Sequence, residues 1–264
     1  MTRTEGVMAS DSTRSEESKR GWYSWYVIES LLDLIDSGCG EAPPVDEAKR
    51  QRILADSEYP AGDILSGNVA LQIYANRAGW PADKYVDDLR GAPGDLAAMI
   101  ALSAIRGLWP RDNLRNDVLG AVGNQAVGIV RLAEEGLWTL NSLREDLIAA
   151  SGMVDEAIAR ACAVGLWPKE LMRTDILAGD YDAWAIFNAR KAGTWPEETY
   201  VDDIRGARKR RAVAIVMSRK NALWPEESFR KDLEAAVGID QAYALDMAQR
   251  LGLLDAYTSR SEIR

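Results

Sequence analysis

A tryptophan returns along most of this chain at a nearly fixed spacing. Six of them are separated by 29, 29, 29, 28 and 29 residues, and five of the six are followed by proline. A period in this range is typical of repeat proteins, in which each repeat is one supersecondary unit and stacking buries a shared core. The chain is therefore predicted to be a repeat array. The six residues are Trp80, Trp109, Trp138, Trp167, Trp195 and Trp224.

Each repeat is predicted to contain two short helices. Trp-Pro opens the first helix, with proline in the first helical position, and acidic residues such as Glu197 follow where the helix dipole favours them. A short break leads to the second helix, which ends at a glycine two residues before the next tryptophan, as a left-handed C-cap requires. These glycines are Gly107, Gly136, Gly165, Gly193 and Gly252, and Ala222, beside Asn221, replaces the glycine before Trp224. The predicted fold is all-α: a solenoid of about seven 29-residue helix-turn-helix repeats.

The chain is predicted to divide into four segments, one of which is the repeat array. Residues 1–20 are rich in Ser, Thr and charge and are predicted to be a disordered tail. Residues 21–54, which include Trp22 and Trp25 at helical spacing, are predicted to be N-terminal capping helices that cover the exposed core of the array. Repeats are predicted over 55–253, starting near 55, 80, 109, 138, 167, 195 and 224, and 254–264 is a C-terminal tail.

The segments LIAASGMVDEAIARACAVGLW (147–167) and DVLGAVGNQAVGIVRLAEEGLW (117–138) have the order short helix, break, longer helix and glycine stop. In this order they resemble ankyrin-like repeats. The resemblance implies a scaffold that binds other proteins, by analogy of shape. The chain departs from that pattern in its period of 29 instead of 33 residues, in lacking the T-P-L-H signature, and in having Trp-Pro where the β-turn would be.

Composition narrows the classes of function. The net charge of −9, with a pI near 4.8, disfavours binding to a phosphate backbone. Histidine is absent, which excludes Ser-His-Asp, Cys-His and zinc-histidine sites. The chain is thus predicted to be non-catalytic and to need no cofactor or metal. Two cysteines and the lack of a long apolar run favour a cytoplasmic protein without a membrane span, although a Ser/Thr-rich start is also typical of secreted bacterial effectors.

An aspartate follows each repeating tryptophan by eight residues. It either pairs with an arginine and helps to build the repeat, or forms a ladder of carboxylates for a ligand; we favour the first, because a feature of every repeat is typical of a structural role. The tryptophans are interpreted as structural in the same way. Arginines late in the second helices, at Arg77, Arg106, Arg131, Arg160, Arg190, Arg219 and Arg250, are the predicted partners. The aspartates are Asp88, Asp117, Asp146, Asp175, Asp203 and Asp232.

A larger duplication lies above the repeats. WPADKYVDDLRGA (80–92) and WPEETYVDDIRGA (195–207) are identical at 9 of 13 positions, yet the basic cluster that follows the second copy is absent from the first. We therefore expect a protein partner to bind at variable positions between the helices. The candidates are Arg205, Arg208, Lys209, Arg210 and Arg211 of that cluster, with Asp95, Asn124, Met153, Tyr181 and Asp240. Two alternatives stay open: a small-molecule or enzyme groove lined by carboxylates and tryptophan, and a repeat-based binder of nucleic acid.

Overall fold

The computed structural model describes residues 45–55, 80–92, 94–178, 181–238 and 240–254. Within these ranges the chain forms helices and no strand, which confirms the all-α prediction; a single isolated β-bridge pairs Asp182 with Lys209. The predicted tail 1–20, most of the capping segment 21–54, the first repeat at 55–79 and residues 255–264 lie outside the described residues. None of the described helices is both long and apolar enough to span a bilayer.

Every 29-residue repeat from Trp80 onward contains two helices, a first and a second, of seven to ten residues each. One earlier helix precedes them. The helices are α1 (Glu47–Ala55), α2 (Tyr85–Gly91), α3 (Leu96–Ile105), α4 (Leu114–Gly120), α5 (Gln125–Glu134), α6 (Leu140–Ala149), α7 (Val154–Ala163), α8 (Lys169–Leu177), α9 (Ala183–Lys191), α10 (Glu197–Gly206), α11 (Arg211–Lys220), α12 (Glu226–Ala235) and α13 (Gln241–Arg250).

The contacts divide the chain into two compact bodies. Body 1 comprises the chain up to Thr139 together with Ala149–Met153, and body 2 comprises Leu140–Ile148 and the chain from Val154 onward. In body 1 the second helices α3 and α5 pack on each other, and the first helix α4 packs on both. In body 2 the second helices α7, α9, α11 and α13 pack in succession, and α10 lies against α9 and α11. In each body the second helices therefore form the inner layer.

Small residues let the second helices approach closely. Ala97, Ala101 and Ala104 of α3 are at most 1 % exposed, and a Cβ added at Gly128 of α5 would lie 3.0 Å from the Ala97 carbonyl oxygen. The first helices instead present large side chains at wide spacing, such as Tyr200 and Ile204 of α10, both buried. This difference in residue size fixes which helix of each repeat lies inside.

The helix ends agree with the predicted signals except at proline. Pro168, Pro196 and Pro225 have φ near −60° but ψ of 124–135°, so each is the N-cap and the helix begins one residue later. The prediction of proline in the first helical position was therefore one residue early. All five predicted C-cap glycines have positive φ, and Ala222 adopts φ 57° in the position where glycine is missing.

Candidate functional site

The repeating tryptophan and the aspartate eight residues later are in direct contact. All six tryptophans are buried, at 7 % exposure or less. The indole Nε1 donates a hydrogen bond to the carboxylate Oδ2 in five repeats: Trp80 to Asp88 at 2.9 Å, Trp109 to Asp117 at 2.9 Å, Trp167 to Asp175 at 3.2 Å, Trp195 to Asp203 at 3.1 Å and Trp224 to Asp232 at 3.2 Å. The spacing of eight thus places the carboxylate at the start-of-repeat tryptophan.

The same aspartates are bound by an arginine, which comes from the preceding first helix in the later repeats and from α1 for Asp88. Four of these pairs are close: Arg50 with Asp88, Arg144 with Asp175, Arg173 with Asp203 and Arg205 with Asp232, at 2.5–3.1 Å through two guanidinium nitrogens. Arg90 approaches Asp117 at 3.5 Å. These arginines are not the predicted ones late in second helices. Three of the latter bind glutamates instead: Arg131 with Glu134, Arg190 with Glu197 and Arg219 with Glu226.

In three of the repeats this arrangement favours the ionised carboxylate. Burial alone would raise the pKa of Asp203, but hydrogen bonds from Arg173 and Trp195 lower it below its ordinary value. The pKa of Asp88 and of Asp232 is lowered in the same way, by Arg50 and by Arg205 respectively, against the effect of burial. In each case the carboxylate is occupied by partners of this chain, which favours the structural interpretation of the aspartates over a ligand ladder.

The two duplicated segments share contacts as well as sequence. The Tyr85 hydroxyl lies 2.6 Å from the Ser103 hydroxyl, and the Tyr200 hydroxyl lies 2.5 Å from that of Ser218, with all four residues buried. The guanidinium of Arg90 stands over the ring of Trp109 at 5.1 Å, and that of Arg205 stands over Trp224 at 5.9 Å. Sequence identity between the copies therefore extends to packing.

A second set of contacts between repeats lies at the start of the second helices in body 1. Asp95 Oδ1 accepts hydrogen bonds from the backbone N–H of Ala98, in its own helix, and of Asn124, in the next repeat, at 3.1 and 2.8 Å. Asn124 Oδ1 accepts from the N–H of Met153 at 2.8 Å in turn. Each cap side chain therefore holds the next cap residue 29 positions along. Three candidate partner-binding residues, Asp95, Asn124 and Met153, take part in this cap ladder.

Body 2 has its own contacts at the starts of its second helices. Asp155 Oδ2 accepts from the N–H of Asp182 at 3.0 Å, and Asp182 caps α9 by accepting from Trp184 N–H at 2.9 Å. Asp240 is 8 % exposed and accepts from Val213 N–H at 3.2 Å. The caps of α9 and α11 are Asp182 and Arg210, each one residue after the candidates Tyr181 and Lys209. Both caps lie fifteen residues after the repeating tryptophan, as the caps of body 1 do, so the two candidates are one residue early.

Some residues of the predicted basic cluster make contacts with neighbouring helices, and others are exposed at the surface. Arg205 binds Asp232, and Arg211 donates to the carbonyl oxygens of Arg205 and Ala235 at 2.9 and 3.0 Å. Arg210, with a side chain only 13 % exposed, binds Glu156 and Asp182. Arg208 and Lys209 are exposed.

The breaks between first and second helices end in exposed tips. In body 2 the tip before α11 is Arg208–Lys209 and the tip before α13 contains Val237, which is 79 % exposed. Arg211 joins the ends of α10 and α12, from which the two breaks start, through its two carbonyl contacts. In body 1 the corresponding tips contain Val122, 69 % exposed, and Ser151. Tip residues thus differ between repeats while the capping contacts beneath them recur.

No family model, curated protein or solved structure matches this chain. The likeness to ankyrin-like repeats is thus one of helix order alone. Among the described residues, no group of three or more Cys, Asp or Glu side chains is arranged to hold a metal ion.

Sequence reasoning missed Asp155, Glu156 and Asp182, which surround Arg210 in body 2. A signal was present in the repeats. The second and third residues after the cap are apolar in the other described second helices, and only α7 has Asp155–Glu156 there. The apolar pairs are Ala97–Ala98, Ala126–Val127, Trp184–Ala185, Ala212–Val213 and Ala242–Tyr243.

Proposed function

We propose that this chain is a non-catalytic helical-repeat scaffold that binds another protein through the tips of its helix pairs. The tip surface of body 2, defined as Arg208, Lys209 and Val237, is the proposed contact. The observation that carries the proposal is a difference between two sets of residues. The recurring residues make contacts between repeats, whereas the tip residues are exposed and vary from repeat to repeat. Exposed side chains that differ between repeats can specialise while the stacking contacts of the repeats are kept.

The chemistry of the tip surface favours an acidic partner with an apolar side chain. Arg208 and Lys209 present positive charge on a protein of net charge −9, so they form a local contrast that orients an acidic segment. Val237, in the break before α13, adds an exposed apolar side chain. The Arg211 contacts to two carbonyl oxygens hold the ends of α10 and α12, from which both breaks start, and this lowers the entropy cost of binding.

The experiment is quantitative capture with the full-length protein as bait. The tip variant is Arg208→Ser/Lys209→Ser/Val237→Ser. The control variant, Arg230→Ser/Lys231→Ser/Val164→Ser, also removes two exposed positive charges and one exposed valine, 44 % exposed, from elsewhere in body 2. Binding partners recovered by the wild type and by the control, but lost by the tip variant at unchanged unfolding midpoint, support the proposal. Equal recovery by all three proteins refutes it.

A further inference from the structure

Three carboxylates and one guanidinium meet at the start of three consecutive second helices of body 2. Asp155 and Glu156 lie in the first turn of α7, Asp182 caps α9, and Arg210 caps α11. Arg210 Nε donates to Asp182 Oδ2 at 2.7 Å, and Arg210 Nη2 contacts both Glu156 and Asp182. Asp155 is tied to the same group because it accepts the Asp182 N–H. We call these four residues the acidic joint.

The acidic joint is buried and unbalanced in charge. The side chains of Arg210, Asp182 and Glu156 are 13 %, 11 % and 9 % exposed. Fully ionised, the four groups carry three negative charges and one positive charge, and Lys209 is the further cation acting on Asp155. The N-termini of α7 and α9 offset part of the excess, because helix N-termini favour negative charge. Buried carboxylates without a matching cation are costly, and protonation of one of them relieves that cost.

The backbone and the repeat pattern distinguish the acidic joint from the corresponding positions of the other described second helices. Arg210 adopts φ 49° and ψ 27°, a left-handed conformation that is unfavourable for a residue other than glycine. The two acidic positions of α7 are apolar in the other described second helices. The acidic joint thus replaces an apolar contact by ionisable groups, and it uses a strained arginine to do so.

We propose that the acidic joint links α7, α9 and α11 in a proton-dependent way. Below neutral pH it holds one proton among its carboxyls. As the pH rises to neutral it releases that proton to solvent, and the contact between the three helices loosens. The carbonyl oxygen of Lys209, the residue before Arg210, accepts the N–H of Ala183 at 3.1 Å. Loosening of the acidic joint therefore also acts on the Arg208–Lys209 tip. The joint titrates whether or not a partner binds there.

The direction of the pKa shifts agrees with this geometry. Burial, and then the charge of Asp182, raises the pKa of Asp155 to about 6. Burial also raises the pKa of Glu156, against the effect of Arg210. Because the folded state holds this proton more tightly than the unfolded chain does, stability grows as the pH falls through 6.

The test uses the full chain and compares its unfolding constant in urea at pH 5 and pH 7. Histidine is absent, and outside the acidic joint Asp95 is the carboxyl among the described residues whose pKa burial raises. The double variant described below keeps Asp95, so a pH dependence that this variant removes belongs to the acidic joint. We expect the unfolding constant to be about tenfold smaller at pH 5, from a pKa of about 6 against 3.8 in the unfolded chain. A ratio within twofold of unity, or a larger constant at pH 5, overturns the proposal.

Two variants and one direct titration make the result specific. Asp155→Ala/Glu156→Val, which installs the pair that α5 has at these positions, should abolish the pH dependence. Asp203→Asn should lower stability at both pH values and keep the tenfold ratio. If the double variant fails to fold, the carboxyl carbon of Asp155 is followed by NMR in the wild type. A midpoint near 6 supports the joint, and a midpoint near 4 overturns it.

Discussion

Arg173 and Asp203, thirty residues apart, form a two-bonded ion pair between consecutive first helices. The Nε and Nη2 atoms of the arginine lie 2.8 and 2.7 Å from the two carboxylate oxygens, and Trp195 Nε1 donates to one of the same oxygens at 3.1 Å. One carboxylate thus joins the start of its own repeat to the repeat before it. The contact recurs with Arg144 and Asp175.

Replacement of the shared carboxylate should therefore destabilise the chain. For Asp203→Asn we expect a loss of about 2 kcal/mol in the free energy of unfolding, because the buried Trp195 N–H and the arginine both lose a charged acceptor. Asp202→Asn is the control, since Asp202 is 81 % exposed and pairs only at the surface with Arg205. Urea unfolding measures both. Equal stability of the two variants contradicts the structural role of Asp203.

The aspartate and tryptophan positions are visible in the sequence because they recur in every repeat. The arginine partners are not, since they occur at two different positions of the first helix: six residues after the tryptophan for Arg144 and Arg173, and ten residues after it for Arg90 and Arg205. Both positions reach the next carboxylate because they lie one helical turn apart. Spacing alone could not distinguish them from arginines late in the second helices.

The candidate partner positions illustrate a second limit of sequence reasoning. The variable positions between helices are predicted to bind a partner, yet Asn124 and Asp240 are only 6 % and 8 % exposed and accept backbone hydrogen bonds across repeats. Several residue types can accept the same N–H, so a cap can vary in sequence while its role stays constant. Only the neighbouring tips, such as Val237, vary and are also exposed.

Ala222 offers a stabilising substitution. It has φ 57° one residue after Asn221, the C-cap of α11, at the position where five other repeats place glycine. Ala222→Gly should raise the free energy of unfolding by about 1 kcal/mol through relief of left-handed strain. Gly193→Ala is the reciprocal control and should cost a similar amount, because an added Cβ there meets no atom within 4 Å and only φ 73° opposes it. A destabilised Ala222→Gly would show that this C-cap is not strained.

A steric test applies to the cap ladder of body 1. A Cβ at Gly123 would lie 2.3 Å from Asp95 Oδ1, whereas one at Gly107 would meet nothing, and both glycines have positive φ. Gly123→Ala should therefore destabilise the chain by about 2 kcal/mol more than Gly107→Ala. Adding Asp95→Ala should recover part of the excess in a double-mutant cycle. Equal costs for the two glycine variants would mean that the Asp95 side chain does not fill that space.

Stability should pass through a maximum near pH 5. The lowered pKa of Asp88, Asp203 and Asp232 means that their contribution is present above the unfolded pKa of 3.8 and is lost as the pH falls below it. The raised pKa of Asp155 works in the opposite direction between pH 5 and 7. Asp155→Asn should flatten only the neutral limb of the profile. Stability that rises steadily from pH 4 to pH 7 would contradict this assignment of signs.

The most direct measurement of the central claim is site-specific photo-crosslinking from single positions of the full-length protein. A benzophenone amino acid replaces Val237 at the tip in one variant and Lys231, exposed on α12 six residues earlier, in the other. The proposed function predicts covalent capture of a protein partner from position 237, competed by an acidic peptide, and none from position 231. Capture from position 231 alone, or with equal yield from both, would contradict binding through the tips.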